Sequence, residues 1–379
     1  MTRRPKHVDR TDELKTAADL RIVFFSDSFR HRNGVGAYYC DLIEHLRPHV
    51  AAAELVCPGD TGEGKQQGLS LPLPGDPSQK LCLPGIPKAC RVMKTVRPHV
   101  VVAASPGPYG LLAAALAWRF KVRFCFGYHT QYDMLTDLYW NRVFGGLARC
   151  YLAWLDRRFF RRCDAVFTNG KHMVAAAERM GARRVELIGT PIEPLLLRPP
   201  APITDESFGP VLFVGRLALE KNLDKIFAAA RALPDVPFAI AGDGPLAEEV
   251  KAADAELPNL DYVGWVDREA LLQRLDERCE VLILPSQVES FGTVAAEAMA
   301  RERLVVVSNR CGIIDWPELN AGLEIADVEA PLAGKLRELA EMPFEQRREK
   351  RILARNQCIR FVEKTIEDWE SALFDVASQ

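Results

Sequence analysis

Short, continuous apolar segments recur along the whole chain, and each is followed by a turn rich in Gly, Pro or Ser and then by a longer mixed segment. Strands that are buried on both faces of a parallel sheet are apolar throughout, whereas half-exposed strands alternate apolar and polar residues. The segments predicted as strands are 21–25, 52–57, 100–104, 122–126, 165–168, 185–188, 211–214, 238–241, 261–263, 281–284 and 304–307. The Ala- and Leu-rich segments between them, such as 223–233 and 293–301, are typical of helices. Strands that alternate with helices in this way predict an α/β fold with doubly wound parallel sheets.

A proline-rich segment divides the 379-residue chain near its middle. Residues 193–210 include five prolines, and proline suits neither a helix interior nor a central strand. The domain prediction is a mobile tail at 1–19, Rossmann-like domains at 20–195 and 210–359, a linker at 196–209 and a final helix at about 360–379. That helix is expected to pack back on the first domain. Ligands of open parallel sheets bind beyond the carboxyl ends of the strands, so two such domains are expected to face a cleft.

The composition excludes several classes of protein. Hydrophobic residues make up 48% and charged residues 26%, which is typical of a soluble globular chain and not of a disordered one. The net charge of −2 disfavours a nucleic-acid partner. The ten cysteines include no Cys-x-x-Cys pair, which favours reduced thiols in a cytoplasmic protein over a zinc or redox site. The N-terminus is too polar for a signal peptide, and Ser-Pro-Gly-Pro interrupts the most apolar long stretch, so no membrane span is expected.

Two glycine-containing loops resemble phosphate-binding motifs. Gly34 and Gly36 follow the first strand and precede a helical pattern from about Ala37, where backbone N–H groups could bind a phosphate. Position 39 is Tyr, so the third glycine of a dinucleotide fingerprint is absent, and an ordinary turn remains the alternative. Residues 59–65 have the spacing of a P-loop, but Gln66 replaces the magnesium-binding Ser or Thr. We predict a flexible surface loop there.

Three side chains that follow predicted strands could contact a ligand. Arg216 and Lys221 come after Gly215 in a strand-to-helix turn, and a guanidinium with an ammonium suits a diphosphate. His129 ends the strand at 122–126, where its ring could hydrogen-bond a substrate hydroxyl or cap the next helix.

The loop after the strand at 281–284 carries the most informative residues. Glu289 lies in this loop, and Ser290, Phe291, Gly292 and Thr293 lead into an Ala-rich helix whose first N–H groups could bind phosphate oxygens. Glu297, in that helix, could accept hydrogen bonds from the two vicinal hydroxyls of a ribose. Two carboxylates in such a context favour a nucleotide site over a chance arrangement on the surface.

Together these motifs resemble the retaining GT-B glycosyltransferases of family 4. Glu289 and Glu297 match the Glu-x7-Glu signature, and 215–221, 242–245, 262–266 and 128–130 match further motifs in family order. The resemblance extends over roughly residues 20–375 and is greatest to the branch of mannosyltransferases and sulfoquinovosyl-diacylglycerol synthases. One departure is Cys311-Gly312, where the family often has Gly-Gly.

The resemblance implies a role for each candidate residue. A nucleotide-diphosphate sugar, UDP- or GDP-linked, would bind mainly to the second domain, with its base at the backbone of Val266 and its ribose at Glu297. Arg216 and Lys221 would neutralise the leaving diphosphate, and Glu289 would hold sugar hydroxyls. His129 would contact the sugar near the reacting carbon, and Gly34 and Gly36 would approach the phosphates. A hexosyl unit would be transferred with retention of configuration. The resemblance also implies that no cofactor or metal is required, and the absence of Asp-x-Asp is consistent with this.

The resemblance implies a hydroxyl acceptor, for which a membrane glycolipid is one candidate. Residues 80–97 and 154–162 interleave basic with apolar side chains, which suits a peripheral contact with an anionic membrane. The alternative is that these basic side chains lie on solvent-exposed helix faces, with Phe159 and Phe160 in the core. Three other functions also stay open: a GT-B sugar-nucleotide epimerase, a phosphorylase, or a non-catalytic sugar-nucleotide-binding protein. A nicotinamide dehydrogenase is disfavoured by the incomplete glycine fingerprint.

Overall fold

The computed structural model describes residues 14–30, 34–59, 70–73, 76–129, 154–155, 157–200, 203 and 206–379. Contacts divide the chain into two compact units, one formed by residues up to Pro191 with Lys364–Gln379 and the other by Ile192–Glu363. The P-loop-like sequence at 59–65 lies outside the described residues except for Gly59. Among the residues described, none of the helices combines the length and the apolar composition that crossing a bilayer requires.

The first unit contains a six-stranded parallel sheet in the order β2-β1-β5-β6-β7-β8. Its strands are β1 Arg21–Phe25, β2 Ala52–Val56, β5 Val100–Ala103, β6 Arg123–Gly127, β7 Ala165–Thr168 and β8 Val185–Leu187. A separate antiparallel hairpin is formed by β3 Ser70–Leu73 and β4 Asp76–Cys82. The helices are α1 Gly34–Leu46, α2 Ile86–Val96, α3 Pro108–Phe120 and α4 Lys171–Arg179, with a 3-10 turn at Ala17–Asp19.

The second unit contains another six-stranded parallel sheet, in the order β11-β10-β9-β12-β13-β14. Its strands are β9 Val211–Val214, β10 Phe238–Ala241, β11 Leu260–Gly264, β12 Val281–Leu284, β13 Leu304–Ser308 and β14 Glu324–Ala326. The helices are α5 Leu223–Ala232, α6 Ala247–Glu256, α7 Arg268–Glu277, α8 Thr293–Ala300, α9 Pro317–Asn320, α10 Leu332–Glu341 and α11 Phe344–Ser378. Further 3-10 turns lie at Pro194–Leu197, Leu219–Lys221 and Gly312–Asp315.

The two doubly wound sheets confirm the predicted α/β fold class. The strand order in the second unit is the one typical of dinucleotide-binding folds, in which the chain reverses its winding between the first and the fourth strand. Here those strands are β9 and β12, which pair in parallel. Ligands of such sheets bind beyond the carboxyl ends of the strands at this reversal, so a ligand is expected to contact the residues after β9 and β12.

The long helix α11 contributes to both units. Its last part packs on the first sheet, where Trp369 is completely buried and donates its indole N–H to the Tyr38 hydroxyl at 3.0 Å. Tyr38 in turn donates to the Gly189 carbonyl at 3.1 Å. Burial of a large aromatic ring with its polar group satisfied stabilises this attachment of the chain end to the first unit.

Candidate active site

The loop after β12 is held on two sides by hydrogen bonds. On one side, Gln287 N–H donates to the Glu220 carbonyl at 2.8 Å and the Asn222 amide donates to the Pro285 carbonyl at 3.2 Å. On the other side, Gly312 N–H donates to the Glu289 carbonyl at 2.9 Å. The loops after β9, β12 and β13 therefore form one connected structure at the carboxyl edge of the second sheet.

The structure brings Lys221 and Glu289 together in this connected loop region. The Lys221 ammonium donates to the Glu289 carboxylate, and both side chains are largely buried. Burial alone would lower the pKa of Lys221, but the Glu289 carboxylate offsets this and the pKa is raised, so Lys221 stays charged. Arg216 lies in the same β9 loop, with its guanidinium 3.6 Å from the Glu220 carboxylate. Sequence reasoning placed the two cations correctly in one turn but did not identify their carboxylate partners.

Glu297 has a separate ionic partner. It lies one turn into α8, it is only 5% exposed, and its carboxylate accepts from Arg268 Nη1 at 2.5 Å. Burial raises the pKa of Glu297 even though the Arg268 guanidinium acts in the opposite direction. Sequence reasoning missed Arg268, although its position directly after Val266 and the helix-capping Asp267 was a usable signal.

Two glycines allow the loop after β12 to approach its neighbours. Gly292, the residue before α8, has φ of +90°, a conformation that favours glycine. A Cβ at Gly312 would lie 1.9 Å from the Ser290 carbonyl oxygen, so no larger residue fits there. Cys311, by contrast, has an extended backbone with φ of −83°, which any residue can adopt. Its thiol donates to the Phe291 carbonyl at 3.2 Å, so the departure from Gly-Gly adds a contact to this loop.

The other predicted donor-binding positions lie at the same edge of the second sheet. Gly215 follows β9, its N–H donates to the Ala241 carbonyl at 3.1 Å, and Val266 is half-buried between β11 and α7. Ser290 and Thr293 are half-buried, whereas Phe291 is buried and stacks on Phe361. Their predicted contacts with a donor stay predictions.

In the first unit, His129 is buried among aromatic side chains. Its Nε2 lies 2.8 Å from the Tyr39 hydroxyl, and its ring centroid is 4.4 Å from that of Tyr38. Burial lowers the pKa of His129 to about 4, although the nearby Asn169 side chain acts in the opposite direction, so the ring is neutral at pH 7. The segment after His129, where the sequence left open a helix for it to cap, lies outside the described residues, which start again at Trp154. Its role in catalysis stays a prediction.

The two glycines of the first unit lie inside a helix rather than before it. The sequence predicts a helix from about Ala37, but α1 begins at Gly34. Gly34 is exposed and Gly36 is buried, and both lie in the first described turn of this helix. The expectation of a helix start after both glycines is therefore wrong by one turn, and their contact with phosphates stays a prediction.

Comparison with known proteins agrees with this architecture. Residues 32–194 match Glycosyltransferase Family 4, and residues 204–354 match Glycosyl transferases group 1. Sulfoquinovosyl transferase SQD2 of Arabidopsis thaliana is 26% identical over 65% of this chain and 49% of its own length. A GDP-mannose-dependent phosphatidylinositol dimannoside mannosyltransferase of Mycobacterium tuberculosis is 28% identical over 35% of this chain and 36% of its own length. The chain thus spans half or less of these two relatives.

Solved structures share the fold over nearly the whole chain. Sucrose-phosphate synthase from Thermosynechococcus elongatus superposes with a TM-score of 0.69 at 15% identity, covering 93% of this chain and 98% of its own. Anabaena HepE in complex with UDP-glucose gives a TM-score of 0.61 at 14% identity, covering 93% of this chain and all of its own. The two family matches, one for each half of the chain, show that the protein belongs to the glycosyltransferases of group 1 and family 4, with the GT-B fold.

Proposed function

We propose that this protein transfers a hexosyl unit, with retention of configuration, from a nucleotide-diphosphate sugar to a hydroxyl acceptor. The observation that carries the proposal is the placement of Arg216, Lys221 and Glu289 beyond β9 and β12, where the second sheet reverses its winding. Two cations there suit a diphosphate. The first N–H groups of α8, which begins where the same loop ends, also suit phosphate oxygens. UDP-glucose bound to the structural relative HepE supports a donor of this class.

The chemistry assigned to the second unit is stabilisation of the leaving group. As the bond from the sugar to the diphosphate breaks, negative charge grows on the phosphate oxygens, and fixed cations stabilise that charge without reorganising. Lys221 is held charged by Glu289, so its ammonium is ready before the donor arrives. Because Arg216 and Lys221 supply positive charge, we propose that the reaction needs no divalent metal.

The proposal is tested by donor binding in the presence of EDTA. UDP-, GDP- and ADP-sugars are compared by thermal shift, and a donor at about a hundred times its Kd adds about 2.7 kcal/mol of stability. Product analysis by mass spectrometry, with a crude lipid extract as acceptor, then distinguishes transfer from epimerisation and from phosphate-dependent cleavage. A chain that responds to none of these donors would contradict the proposal.

Gly312→Ala is expected to raise the donor Kd at least tenfold. The added methyl group would lie 1.9 Å from the Ser290 carbonyl oxygen, so the loop that carries Glu289 must shift. Gly334→Ala is the matched control, because a Cβ at Gly334, within α10, meets nothing within 4 Å. Calorimetry measures the donor Kd of both variants. Equal values would contradict the prediction and would mean that the donor does not bind at this loop.

A lipid acceptor is supported by the mycobacterial relative, which is named a phosphatidylinositol dimannoside mannosyltransferase, and by the surface of α2. Lys88, Arg91 and Lys94 are exposed on this helix, and Ile86 at its start is 58% exposed. Basic and apolar side chains on one exposed helix suit an anionic membrane. The second basic stretch, at 154–162, fits less well, because Phe159 and Phe160 are buried in the core of the first unit, as in the alternative interpretation.

Removing two of these charges is expected to weaken vesicle binding. Each Lys near an anionic surface contributes about 1 kcal/mol, so Lys88→Gln with Lys94→Gln should lower partitioning onto phosphatidylglycerol vesicles about 30-fold at low salt. Arg47→Gln, in the turn after α1, with Lys171→Gln, at the start of α4, removes the same charge from other exposed positions and serves as the control. Cosedimentation at low and high salt measures both, and equal losses in the two double variants would argue against a contact through α2.

A further inference from the structure

Arg268 lies between two carboxylates in the second unit. It is the first residue of α7, where Asp267 caps the helix by accepting from Ala270 N–H at 2.8 Å. Its Nη1 is 2.5 Å from Glu297 Oε1, and its Nε is 3.4 Å from Glu193 Oε2. All three side chains are largely buried, Arg268 being 17% exposed, Glu193 18% and Glu297 6%. The helix start fixes the guanidinium against Glu297, the carboxylate that the family resemblance assigns to the ribose of the donor.

We propose that Arg268 is a positioning residue for nucleotide recognition: its guanidinium keeps Glu297 ionised and directed so that the carboxylate accepts hydrogen bonds from both ribose hydroxyls. The inference rests on the proposed function, since it specifies how the donor site of the second unit recognises a ribonucleotide. Arg268 acts through Glu297, and nothing in the inference requires it to touch the donor.

The need for Arg268 follows from the burial of Glu297. A carboxylate can accept from two hydroxyl groups, whereas a protonated carboxyl uses one oxygen as a donor. Burial favours the protonated form, and an adjacent guanidinium opposes this. These effects are both present at Glu297, where burial raises the pKa and Arg268 lowers it. Without Arg268, the carboxyl group would bind a proton at higher pH and lose its preference for a diol.

Two other ionisable groups face Glu297. Glu193, which precedes the 3-10 turn at Pro194–Leu197, acts in the direction opposite to Arg268 and raises the pKa of Glu297. Cys358 on α11 donates its thiol to the Ala296 carbonyl at 3.2 Å, and burial raises its pKa to about 12, so it stays neutral at ordinary pH. The charge state of Glu297 is therefore set by one guanidinium against one carboxylate and burial.

The experiment measures recognition of the ribose hydroxyls as a function of pH. UDP and GDP are titrated calorimetrically against their 2′,3′-dideoxy analogues between pH 5 and pH 9. The readout is the ratio of the two Kd values, in which titration of the phosphates and of other site residues cancels. In the wild-type chain we expect the analogue to bind at least tenfold more weakly at pH 7, since hydrogen bonds to a charged group are lost.

Arg268→Met is expected to raise the pH below which the ratio falls toward one, so that the ratio is lower than in the wild-type chain at acidic pH and recovers as the pH rises. Glu193→Gln should have the opposite effect. Because it removes a negative charge that raises the pKa of Glu297, the ratio should stay high down to a lower pH than in the wild-type chain. Arg268→Lys keeps a positive charge and should keep most of the wild-type ratio. Arg278→Met, at the exposed carboxyl end of the same helix, is the matched control and should leave the ratio unchanged.

The outcomes separate this inference from the proposed function. A wild-type ratio in Arg268→Met at every pH, together with no shift in Glu193→Gln, would show that Arg268 is only structural and would overturn the inference. A wild-type chain that binds UDP or GDP with a ratio near one would overturn the ribose role of Glu297 while donor binding stands. Binding of neither nucleotide would overturn both proposals. If Arg268→Met fails to fold, the shift in Glu193→Gln decides the question alone.

Discussion

Arg216→Ala and Lys221→Ala are each expected to lower kcat for glycosyl transfer about 100-fold. A fixed donor that stabilises charge only in the transition state contributes on the order of 3 kcal/mol, which corresponds to a factor of about 10² in rate. KM for the donor should change less, because the ground-state diphosphate is already charged and partly neutralised by the remaining cation. Initial rates with a saturating donor measure the effect.

The structure adds a complication for Lys221, because its removal also leaves Glu289 without its ionic partner. The double variant Lys221→Ala with Glu289→Gln resolves this. If Lys221 served only to compensate Glu289, the double variant would recover activity relative to Lys221→Ala. If Lys221 stabilises the leaving diphosphate, the double variant stays at least as slow. Lys251→Ala, on the exposed face of α6, is the control for loss of an ammonium and should retain the wild-type rate.

Much of the fold was predictable because buried parallel strands are apolar throughout. The segments 21–25, 165–168, 211–214, 238–241 and 281–284 coincide with strands in both bounds. Strand β14 was missed because Glu324–Ala326 has only three residues and is not fully buried. The β3–β4 hairpin was missed because Pro72 and the polar residues of 76–80 lack a strand pattern. The start of α1 was misplaced because glycine has low helix propensity.

The candidate site was predictable in position but not in pairing. Local sequence patterns predict local structure. They therefore indicated the loop and helix start that carry Glu289 and Glu297, and the turn that carries Arg216 and Lys221. Which carboxylate meets which cation depends on contacts such as Lys221–Glu289, 68 residues apart, which no local pattern encodes. The burial of His129 under Tyr38 and Tyr39 is likewise a product of tertiary packing.

Glu280→Gln is expected to lower the free energy of unfolding by about 3–5 kcal/mol, the usual cost of removing one member of a buried ion pair. Glu280 is 4% exposed and directly precedes β12. Its carboxylate accepts from Arg347 Nε at 2.8 Å, lies 3.4 Å from Arg351 Nη1, and accepts from Gly209 N–H at 2.9 Å. Both arginines come from α11 and are almost fully buried, so they would keep their charge without a counter-charge. Denaturant unfolding measures the loss.

Glu345→Gln, also on α11, controls for loss of a carboxylate, because its pair with Arg348 is exposed and the change should stay within about 0.5 kcal/mol. The double variant Glu280→Met with Arg347→Met should lose less stability than the sum of the single variants, since one of the two unpaired arginine charges is then absent. Because Glu280 lies at the start of β12 while Glu289 lies beyond its end, the folded fraction of Glu280→Gln should retain the wild-type kcat. A low kcat in fully folded Glu280→Gln would instead mean that the ion cluster on α11 positions the loop after β12.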